Sequence, residues 1–358
     1  MPDLANLPGQ ITSAGLSALG SSANAHARVS IIIPTRNGAD LVHECLNALW
    51  HQTFHDYEII VVDDASTDNT YEVLLGYPEV KKIVRLPGER GHGFVAAVNA
   101  GLAEAVGDII VLLNNDAVPD PTWLEELLGG FDRHPGASMA ASRLMLYSKP
   151  DHFHSTGDYY GLDGVPNSRG VWQLDTGQYD QEEEVFGPCA AAAAYKRDVL
   201  IDIADCGGTE PPGSVLDPQL WMYCEDVDLN LRARLRGYRT VYVPTARVLH
   251  RLSATGGGAL ASYYVGRNFI YLLAKDIPAR IIRRNIGRIA KAQAHFALEA
   301  VRHIRYPASR ARLRGIIAGL LTWPRVLPAR KRLCDTARIT PSQFERVITR
   351  FGGREAGK

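Results

Sequence analysis

Four segments in the first third of the chain constrain its fold more than any other feature, because each joins a short apolar run to a polar loop and an amphipathic stretch. The runs are "VSIIIPT", "YEIIVVD", "VKKIVRLP" and "DIIVLL", between residues 29 and 113. Strands covered on both faces are continuously apolar, and helices that follow such strands are typical of parallel sheets. The pattern predicts an α/β fold with a mostly parallel central sheet, helices on both faces, and a helical C-terminal region.

The loops after these runs are the first candidates for a functional site. In open α/β sheets, ligands bind beyond the carboxyl ends of the strands. The loops are Pro34-Thr35-Arg36-Asn37, Asp63-Asp64-Ala65-Ser66, Pro87 to Gly93 and Asn114-Asn115-Asp116. Two of them carry carboxylates and two carry hydrogen-bond donors, which is typical of a site for a polyanion with a bound cation.

The run "DIIVLLNNDAVPD" ends a buried strand on a compact polar cluster. Asp116 can ligate Mg²⁺ or Mn²⁺, because these cations prefer oxygen ligands and need few from the protein when phosphates complete the shell. The amides of Asn114 and Asn115 can bind ribose, phosphate oxygens or metal-bound water. The alternative is that the cluster only turns the chain before Pro119, since Asn and Asp favour turns.

Asp63 and Asp64 raise the same question at the end of the second run. Adjacent buried carboxylates are costly unless partners satisfy them, so one of the two is expected to bind a base or a ribose. The alternative is a helix N-cap, with Ser66 or Thr67 capping the following helix. Both roles are expected to hold.

A third acidic motif, "CEDVDLNLR", is predicted to open a helix from about Glu225 to Arg236. An ionised carboxylate in the first helical turn is favoured by the helix dipole. Asp228 has Arg232 four residues later, which indicates a surface salt bridge. Glu225 and Asp226 have no such simple structural explanation.

His250 ends the apolar run "VYVPTARVL" and precedes "SATGGG". A neutral imidazole at this place can complete a metal site. The alternative is that the histidine only ends a strand. The glycines beside it are typical of a hinge for a loop that closes over substrate.

The five cysteines are scattered and contain no C-x-x-C pair, which argues against a disulfide framework and favours a reducing cytosol. No apolar stretch reaches the roughly 18–20 residues that span a bilayer. Residues 1–27, rich in Ala, Ser, Gly and Asn, are predicted to be a disordered leader rather than a signal peptide.

The C-terminal part is basic although the whole chain has a formal net charge of zero. From Lys275 onward there are 20 Lys or Arg and 5 Asp or Glu. Apolar residues recur at helical spacing between 280 and 304, so this helix is expected to lie on an anionic membrane surface. It can equally pack against the acidic part of the chain or form an oligomer contact, whereas nucleic-acid binding is the less favoured interpretation.

Taken in order, "VSIIIPTRN", "IIVVDDAST", "GFVAAVNAGLAEAVGDIIVLLNNDAVPD", "YCEDVDLNLRARLRGYRTVYVPTARVLH" and "YYVGRNFIYLL" resemble the family 2 glycosyltransferases, and within them the bacterial rhamnosyltransferase-like branch. The resemblance covers about Arg28 to Leu273. It implies a GT-A fold, a divalent cation, and inverting transfer of a sugar from a nucleotide-diphosphate donor. The processive Q-x-x-R-W motif is missing, which favours a single transfer per encounter.

The resemblance also implies roles for individual residues. Asp116 matches the end of the family's D-x-D metal motif, whose first position is Asn114 here, and His250 matches a metal or diphosphate contact. Glu225-Asp226 matches the "ED" motif, with Asp226 as catalytic base. The remaining matches are donor-binding positions: Pro34, Thr35, Arg36, Asn37 and Asp64 near the nucleoside, and Gly91, Gly93 and Asn99 over the sugar and phosphates.

These observations predict a leader (1–27), a glycosyltransferase domain (28–273) and a basic helical region (274–358). The expected function is transfer from a donor such as dTDP-rhamnose to a saccharide or lipid-linked saccharide in cell-surface glycan synthesis. The expected location is the cytoplasm, peripherally on the inner face of the membrane, with homo-oligomers as an open alternative. The competing interpretation is a catalytically silent protein that binds sugar nucleotides or nucleic acid.

Overall fold

A computed structural model describes residues 28–209, 213–252 and 257–355. The predicted disordered leader therefore lies outside the described residues. The strands are β1 (Val29–Thr35), β2 (Tyr57–Asp63), β3 (Val80–Arg85), β4 (Ile109–Leu113), β5 (Ala117–Pro119), β6 (Met139–Leu146), β7 (Lys149–Ser155), β8 (Asp158–Tyr160), β9 (Pro166–Ser168), β10 (Glu183–Val185), β11 (Ala192–Lys196) and β12 (Thr240–His250). The helices are α1 (Ala39–Trp50), α2 (Thr70–Leu75), α3 (Phe94–Glu104), α4 (Trp123–Arg133), α5 (Arg197–Asp205), α6 (Glu225–Leu235), α7 (Gly258–Lys275), α8 (Ala279–Arg302), α9 (Pro307–Thr322), α10 (Leu327–Thr336) and α11 (Pro341–Glu355).

The four predicted strands form the parallel half of the sheet, in the order β3-β2-β1-β4. Side chains of a strand alternate between the two faces, and both faces of β1 are buried. Ile32 packs with α3 and α5, whereas Ile31 and Ile33 pack with α1 and α4. Helices therefore cover both faces of the sheet, as the continuous apolar runs predicted.

The second half of the sheet is mixed. β11 runs antiparallel to both β4 and β6, and β12 runs parallel to β6. β5 pairs with the end of β12 in a register that sets Ala117 opposite His250. This register brings His250 beside the polar cluster that follows β4, although 134 residues separate Asp116 from His250 in the chain.

The predicted cap at Ser66 or Thr67 is wrong, since α2 begins only at Thr70. Ala65 has a left-handed backbone with φ of 53°, which cannot continue into a helix. Instead, the Ser66 backbone N–H donates to Asp63 Oδ1 at 3.0 Å and closes a turn. The helix predicted from about Glu225 to Arg236 is confirmed, because α6 begins at Glu225 and Gly237 follows its end with φ of 84°.

The basic C-terminal part is helical, as predicted, and packs on the rest of the molecule. Leu272 of α7 lies in one apolar cluster with Ile281 of α8 and Phe344 of α11. The same cluster contains Leu231 of α6. The predicted domain boundary after Leu273 falls inside α7, which continues to Lys275.

A buried cluster of charges joins α6 to α7. Lys275 Nζ lies 2.6 Å from Asp217 Oδ2 and also pairs with Asp228, which Arg232 contacts at 2.8 Å. Asp228 and Arg232 are fully buried, so the predicted pair exists but is not on the surface. Burial alone would raise the pKa of Asp228, but Arg232 and Lys275 hold it below its usual value. Burial raises the pKa of Asp276, beside Lys275, well above its usual value.

All five cysteines are free thiols, in agreement with the expectation of no disulfide framework. Within the described ranges, none of the helices is both long enough and apolar enough to cross a bilayer.

We predict that Lys275→Met lowers the free energy of unfolding by about 3–5 kcal/mol, because it leaves Asp217 and Asp228 short of a buried cation. Denaturant unfolding followed by circular dichroism measures the change. Lys331→Met is the matched control, since Lys331 forms an exposed pair with Asp335 at 3.2 Å and is expected to change stability by less than about 1 kcal/mol. Equal effects of the two substitutions would contradict a structural role for the buried cluster.

Candidate active site

A cavity of about 540 Å³ lies beyond the carboxyl ends of β1, β2 and β4 and reaches the start of α6. It gathers loops that are far apart in the chain. The predicted site residues that line it are Pro34, Thr35, Arg36, Asn37, Asp64, Gly91, Gly93, Asn114, Asn115, Asp116, Glu225, Asp226 and His250. Thirteen of the fourteen residues that the sequence and the resemblance selected therefore share one cavity.

Asn99 is the exception, and its predicted contact with the donor has to be corrected. It lies in the middle of α3, is buried, and is not among the residues that line the cavity. Its side-chain amide donates to Leu216 O at 2.9 Å and accepts from Leu216 N at 3.1 Å. Both functional groups of the amide thus serve to attach α3 to the segment that precedes α6.

A larger cavity of about 680 Å³ lies at the opposite end of the strands. Its lining includes Asp108 and Ile109 at the start of β4, and Lys196 and Arg197 where β11 joins α5. Because ligands of open α/β sheets bind at the carboxyl ends of the strands, the smaller cavity is the candidate site.

The loops after β1 and β2 hold each other in place. Asn37, with φ of 47°, accepts the Thr67 N–H at 2.8 Å, and its own N–H donates to Ser66 Oγ at 2.9 Å. Thr35 Oγ1 accepts from Asn115 Nδ2 at 2.8 Å, which adds the loop after β4. These contacts leave the three loops with a defined mutual geometry.

The two adjacent acids after β2 have different surroundings. Asp63 is fully buried, closes the turn to Ser66, and lies 3.4 Å from Arg85 Nε. Asp64 lines the cavity and accepts the backbone N–H groups of His92 and Gly93 at 2.7 and 3.0 Å. Asp64 therefore fixes the loop before α3 and is the member of the pair that faces the cavity.

Gly93 shows why that loop needs glycine. Its φ is 95°, and a Cβ atom there would lie 2.6 Å from the Trp221 ring. Glycine here permits a close approach of the backbone to Trp221, which also stacks on Tyr264 with ring centroids 4.8 Å apart.

The residues expected to bind a cation form a compact group. His250 Nε2 lies 3.0 Å from Asp116 Oδ1 and 3.3 Å from Asn114 Nδ2. Asn114 Oδ1 is buried and has no hydrogen-bond partner among the described residues. A carboxylate, an imidazole nitrogen and an orphaned amide oxygen at one place are a donor set that fits a divalent cation.

His154, on β7, belongs to this group although the sequence did not single it out. Its ring stacks on His250 with centroids 4.7 Å apart, and the two Nδ1 atoms are 3.0 Å apart. Burial lowers the pKa of His154 to about 3, and His250 adds to the effect, so the ring is neutral at neutral pH. The sequence carries no local signal for this contact, since it arises only when β7 and β12 pair on either side of β6.

The turn before α6 is strained. Trp221, Tyr223 and Cys224 all have φ between 63° and 67°, a left-handed conformation that costs about 1–3 kcal/mol for each non-glycine residue. Asn268 of α7 compensates, since its Nδ2 lies 3.1, 3.0 and 2.6 Å from the carbonyl oxygens of residues 220, 222 and 223. The segment "YYVGRN" is therefore a clamp for the turn that begins α6.

Glu225 and Asp226 follow this turn and reach the cavity. Asp226 Oδ1 accepts the Val227 N–H at 2.8 Å, and Oδ2 accepts the Ala190 N–H at 3.3 Å. Burial raises the pKa of Asp226, and these backbone donors offset part of the increase. Burial, and then the charge of Asp226, raise the pKa of Glu225 to about 8. Glu225 therefore keeps its proton at neutral pH, beside Asp226.

Residues 30–204 match the family model of glycosyl transferase family 2. Residues 30–204 belong to this family. The match includes the loops that carry Asp64 and Asp116 and ends before Glu225, Asp226 and His250. The rhamnosyltransferase-like branch stays a prediction.

Relatives and solved structures agree with this assignment. The chain is 26% identical over 233 residues to the O-antigen biosynthesis protein RfbC of Myxococcus xanthus, which covers 64% of this chain and 18% of that protein. It spans a third or less of the length of the first curated relatives it matches. The structure resembles that of S. aureus TarS 1–349, with a TM-score of 0.50, 18% identity and 92% coverage of each chain. It also resembles GalNAc-T7, with a TM-score of 0.51, 16% identity, and coverage of 71% and 51%. The predicted GT-A fold is confirmed.

We predict that the free energy of unfolding decreases with pH more steeply in the wild-type protein than in Glu225→Gln. Between about pH 4.5 and pH 8 the unfolded chain is ionised at Glu225 while the folded protein keeps the proton. Stability from this group is therefore complete below pH 4.5 and falls by up to about 1.4 kcal/mol per pH unit until pH 8.

Urea unfolding at several pH values measures the two slopes. Glu72→Gln, an exposed glutamate on α2, is the control and should retain the wild-type slope. Identical slopes for wild type and Glu225→Gln would show that Glu225 is ionised in the folded protein.

Proposed function

We propose that the protein is an inverting glycosyltransferase that moves a sugar from a nucleotide-diphosphate donor to a hydroxyl group of a saccharide or lipid-linked acceptor. The observation that carries the proposal is the convergence of three acidic loops, around Asp64, Asp116 and Asp226, on one cavity of about 540 Å³. Such a volume suits a small organic ligand. A catalytically silent protein would not require a carboxyl group with a raised pKa at the start of α6.

The nucleoside would lie against the loops after β1 and β2. Asp64 offers a carboxylate to a base or ribose, and its bonds to the His92 and Gly93 N–H groups keep it oriented. Pro34, Thr35, Arg36 and Asn37 form the facing wall. Arg36 supplies positive charge to this wall, which favours a diphosphate.

Asp116, His250 and Asn114 would hold Mg²⁺ or Mn²⁺. GalNAc-T7, which has a similar fold, was crystallised with UDP, GalNAc and Mn²⁺, and this supports a divalent cation as a partner of the present chain. When bound, such a cation neutralises charge on the diphosphate. The orphaned Asn114 Oδ1 favours a contact with the cation or its water shell.

Asp226 is the proposed base. As the acceptor oxygen bonds to the anomeric carbon, its proton passes to the Asp226 carboxylate and the bond to the diphosphate breaks on the opposite side, so the configuration inverts. Burial raises the pKa of Asp226, which makes its carboxylate a better proton acceptor. General-base catalysis of this kind is worth about 10²–10⁴-fold. Glu225, which is neutral at pH 7, would donate a hydrogen bond to a sugar hydroxyl.

Two substitutions separate nucleotide binding from the transfer reaction. Asp226→Asn should lower transfer by at least about 10²-fold while nucleotide binding with Mn²⁺ persists. Asp116→Asn should instead weaken Mn²⁺-dependent nucleotide binding. A thermal-shift screen of nucleotide sugars with and without Mn²⁺, including dTDP-rhamnose, identifies the donor, and transfer or hydrolysis is then measured by chromatography.

Asp120→Asn is the matched control, since Asp120 lies four residues after Asp116 but contacts Arg247 outside the cavity. Near-normal turnover of Asp226→Asn would remove Asp226 from the role of base. Wild-type protein that binds donors without transfer or hydrolysis would favour the catalytically silent alternative.

We also propose that α8 and α9 lie on an anionic membrane surface, where a lipid-linked acceptor would be found. The expectation that the apolar residues between 280 and 304 lie on a membrane needs correction, because Ile289 and Ala300 of that helix are buried. The exposed apolar side chains are spread over both helices, the segment that joins them and the turn after α9. They are Ile286, Leu298, Val301, Ile304, Tyr306, Ile317, Leu320, Leu321 and Trp323.

The charge of α8 and α9 favours an anionic membrane surface. Between residues 279 and 326 there are eleven Lys or Arg and one acidic residue, Glu299. Basic groups near an anionic leaflet contribute about 1 kcal/mol each, and the exposed apolar side chains can enter the interface. The relative RfbC is an O-antigen biosynthesis protein, which supports a surface glycan as the product.

We predict that the wild-type protein co-sediments with vesicles that contain phosphatidylglycerol and much less with pure phosphatidylcholine. Leu321→Glu, at the most exposed of these side chains, should weaken binding by about tenfold or more, since a buried leucine contributes about 1.5–3 kcal/mol. Leu75→Glu, an exposed leucine on α2, adds the same charge and should have little effect. Equal binding to both vesicle types would count against an electrostatic membrane contact.

A further inference from the structure

A third buried acid lies beside the proposed base. Asp158, on β8, is 6% exposed. One of its carboxyl oxygens, one of Asp226 and the Cys189 Sγ atom lie within 4.8 Å of one another. The backbone N–H of Asp158 donates to Gly187 O at 2.8 Å, which fixes β8 against the segment that contains Cys189. The sequence did not indicate this contact, because Asp158 lies in a stretch without a recognisable pattern.

Among the residues that the structure describes, no cation pairs with either of these two carboxyl groups. Within the described part of the chain, neither Asp158 nor Asp226 forms an ion pair with a Lys, Arg or His side chain. The titratable groups that face them are Cys189, Cys224, Tyr195 and Glu225. All four are neutral or acidic, and two carboxylates at such a place cannot both ionise without a large electrostatic cost.

The hydrogen bonds of the two carboxyls differ in kind. Asp226 accepts from two backbone N–H groups, which can only donate and therefore favour the charged form. Asp158 Oδ1 is contacted by Ser168 Oγ at 2.9 Å and Ser155 Oγ at 3.4 Å. A hydroxyl can donate or accept, so the serines tolerate a protonated carboxyl as well as an ionised one.

We infer that Asp158 and Asp226 share a single proton at neutral pH, and that Asp158 holds it. Burial, and then the charge of Asp226, raise the pKa of Asp158 well above its usual value, in agreement with this assignment. The pair titrates as one unit. Asp158 is then a positioning residue: it adds no second negative charge while Asp226 is ionised, and it keeps the carboxylate of Asp226 available.

The catalytic consequence rests on the proposed function, whereas the shared proton does not. If Asp158 lost its proton, a second negative charge would lie beside Asp226 and would repel an anionic donor. The donor KM of the wild-type protein should therefore rise on the alkaline side, by at most about tenfold per pH unit for one ionising group. In Asp158→Asn, which cannot ionise, only the part of this rise that Glu225 causes should remain, while the acid side of the profile stays in place.

The direct test is difference infrared spectroscopy of the protein without substrate at pH 7. The spectrum of Asp158→Asn minus wild type should show the loss of one protonated carboxyl band. Glu225 and Asp276 also have raised pKa values, and their bands should cancel in the difference. Asp151→Asn, at an exposed aspartate on β7, is the control and should show only the loss of a carboxylate band.

A second variant keeps the test decisive if Asp158→Asn does not fold. Asp226→Asn removes the charge that holds the proton, so the carboxyl band of Asp158 should titrate at lower pH than in wild type. An Asp158→Asn spectrum that loses a carboxylate band, as Asp151→Asn does, would overturn the proposal. So would a wild-type carboxyl band whose titration is unaffected by Asp226→Asn. Both measurements are independent of transferase activity, so failure of the proposed function would leave their outcome unchanged.

Discussion

The buried ammonium group of Lys275 holds together the part of the molecule on which the candidate site depends. It contacts Asp217, which precedes the strained turn, and Asp228, which follows it on α6. One cation thus fixes both ends of a segment whose three left-handed residues would otherwise relax. Asn268, two helical turns earlier on α7, binds the carbonyl groups in the middle of the same segment. The strain at the start of α6 persists because α7 holds it from three points.

The charge of the cavity sets a second constraint. Four carboxyl groups line it, those of Asp64, Asp116, Glu225 and Asp226. Among the described residues of this lining, Arg36 is the one Lys or Arg. A diphosphate would be repelled if every carboxyl were ionised. The structure reduces this repulsion in two ways: Glu225 keeps its proton, because burial and the charge of Asp226 raise its pKa to about 8, and Asp116 lies where a divalent cation fits. An anionic ligand can bind beside these acidic residues only if some carboxyl groups stay protonated and a cation neutralises others.

The order of strands and loops could be predicted because it depends on local patterns. The run "DIIVLLNND" contains both the buried strand and its polar end, so Asp116 was recognisable without a neighbour. Asn99 was misjudged for the opposite reason, since nothing nearby in sequence reveals that Leu216 would occupy its amide. His154 and Asp158 were missed because their partners lie about 96 and 68 residues away and meet them only through sheet pairing. The surface pair expected for Asp228 and Arg232 was right in its partners and wrong in its depth, because helical spacing defines neighbours and not burial.

The clamp on the turn before α6 also bears on how the protein is made. Asn268 and Lys275 follow Asp226 by 42 and 49 residues. A polypeptide leaves the ribosome from its N-terminus, so the loops after β1, β2 and β4 are complete while α7 is still being synthesised. During that interval the nascent chain contains these three loops but lacks the residues of α7 that hold the turn before Asp226. Translation itself therefore delays the positioning of Asp226 until α7 has been synthesised.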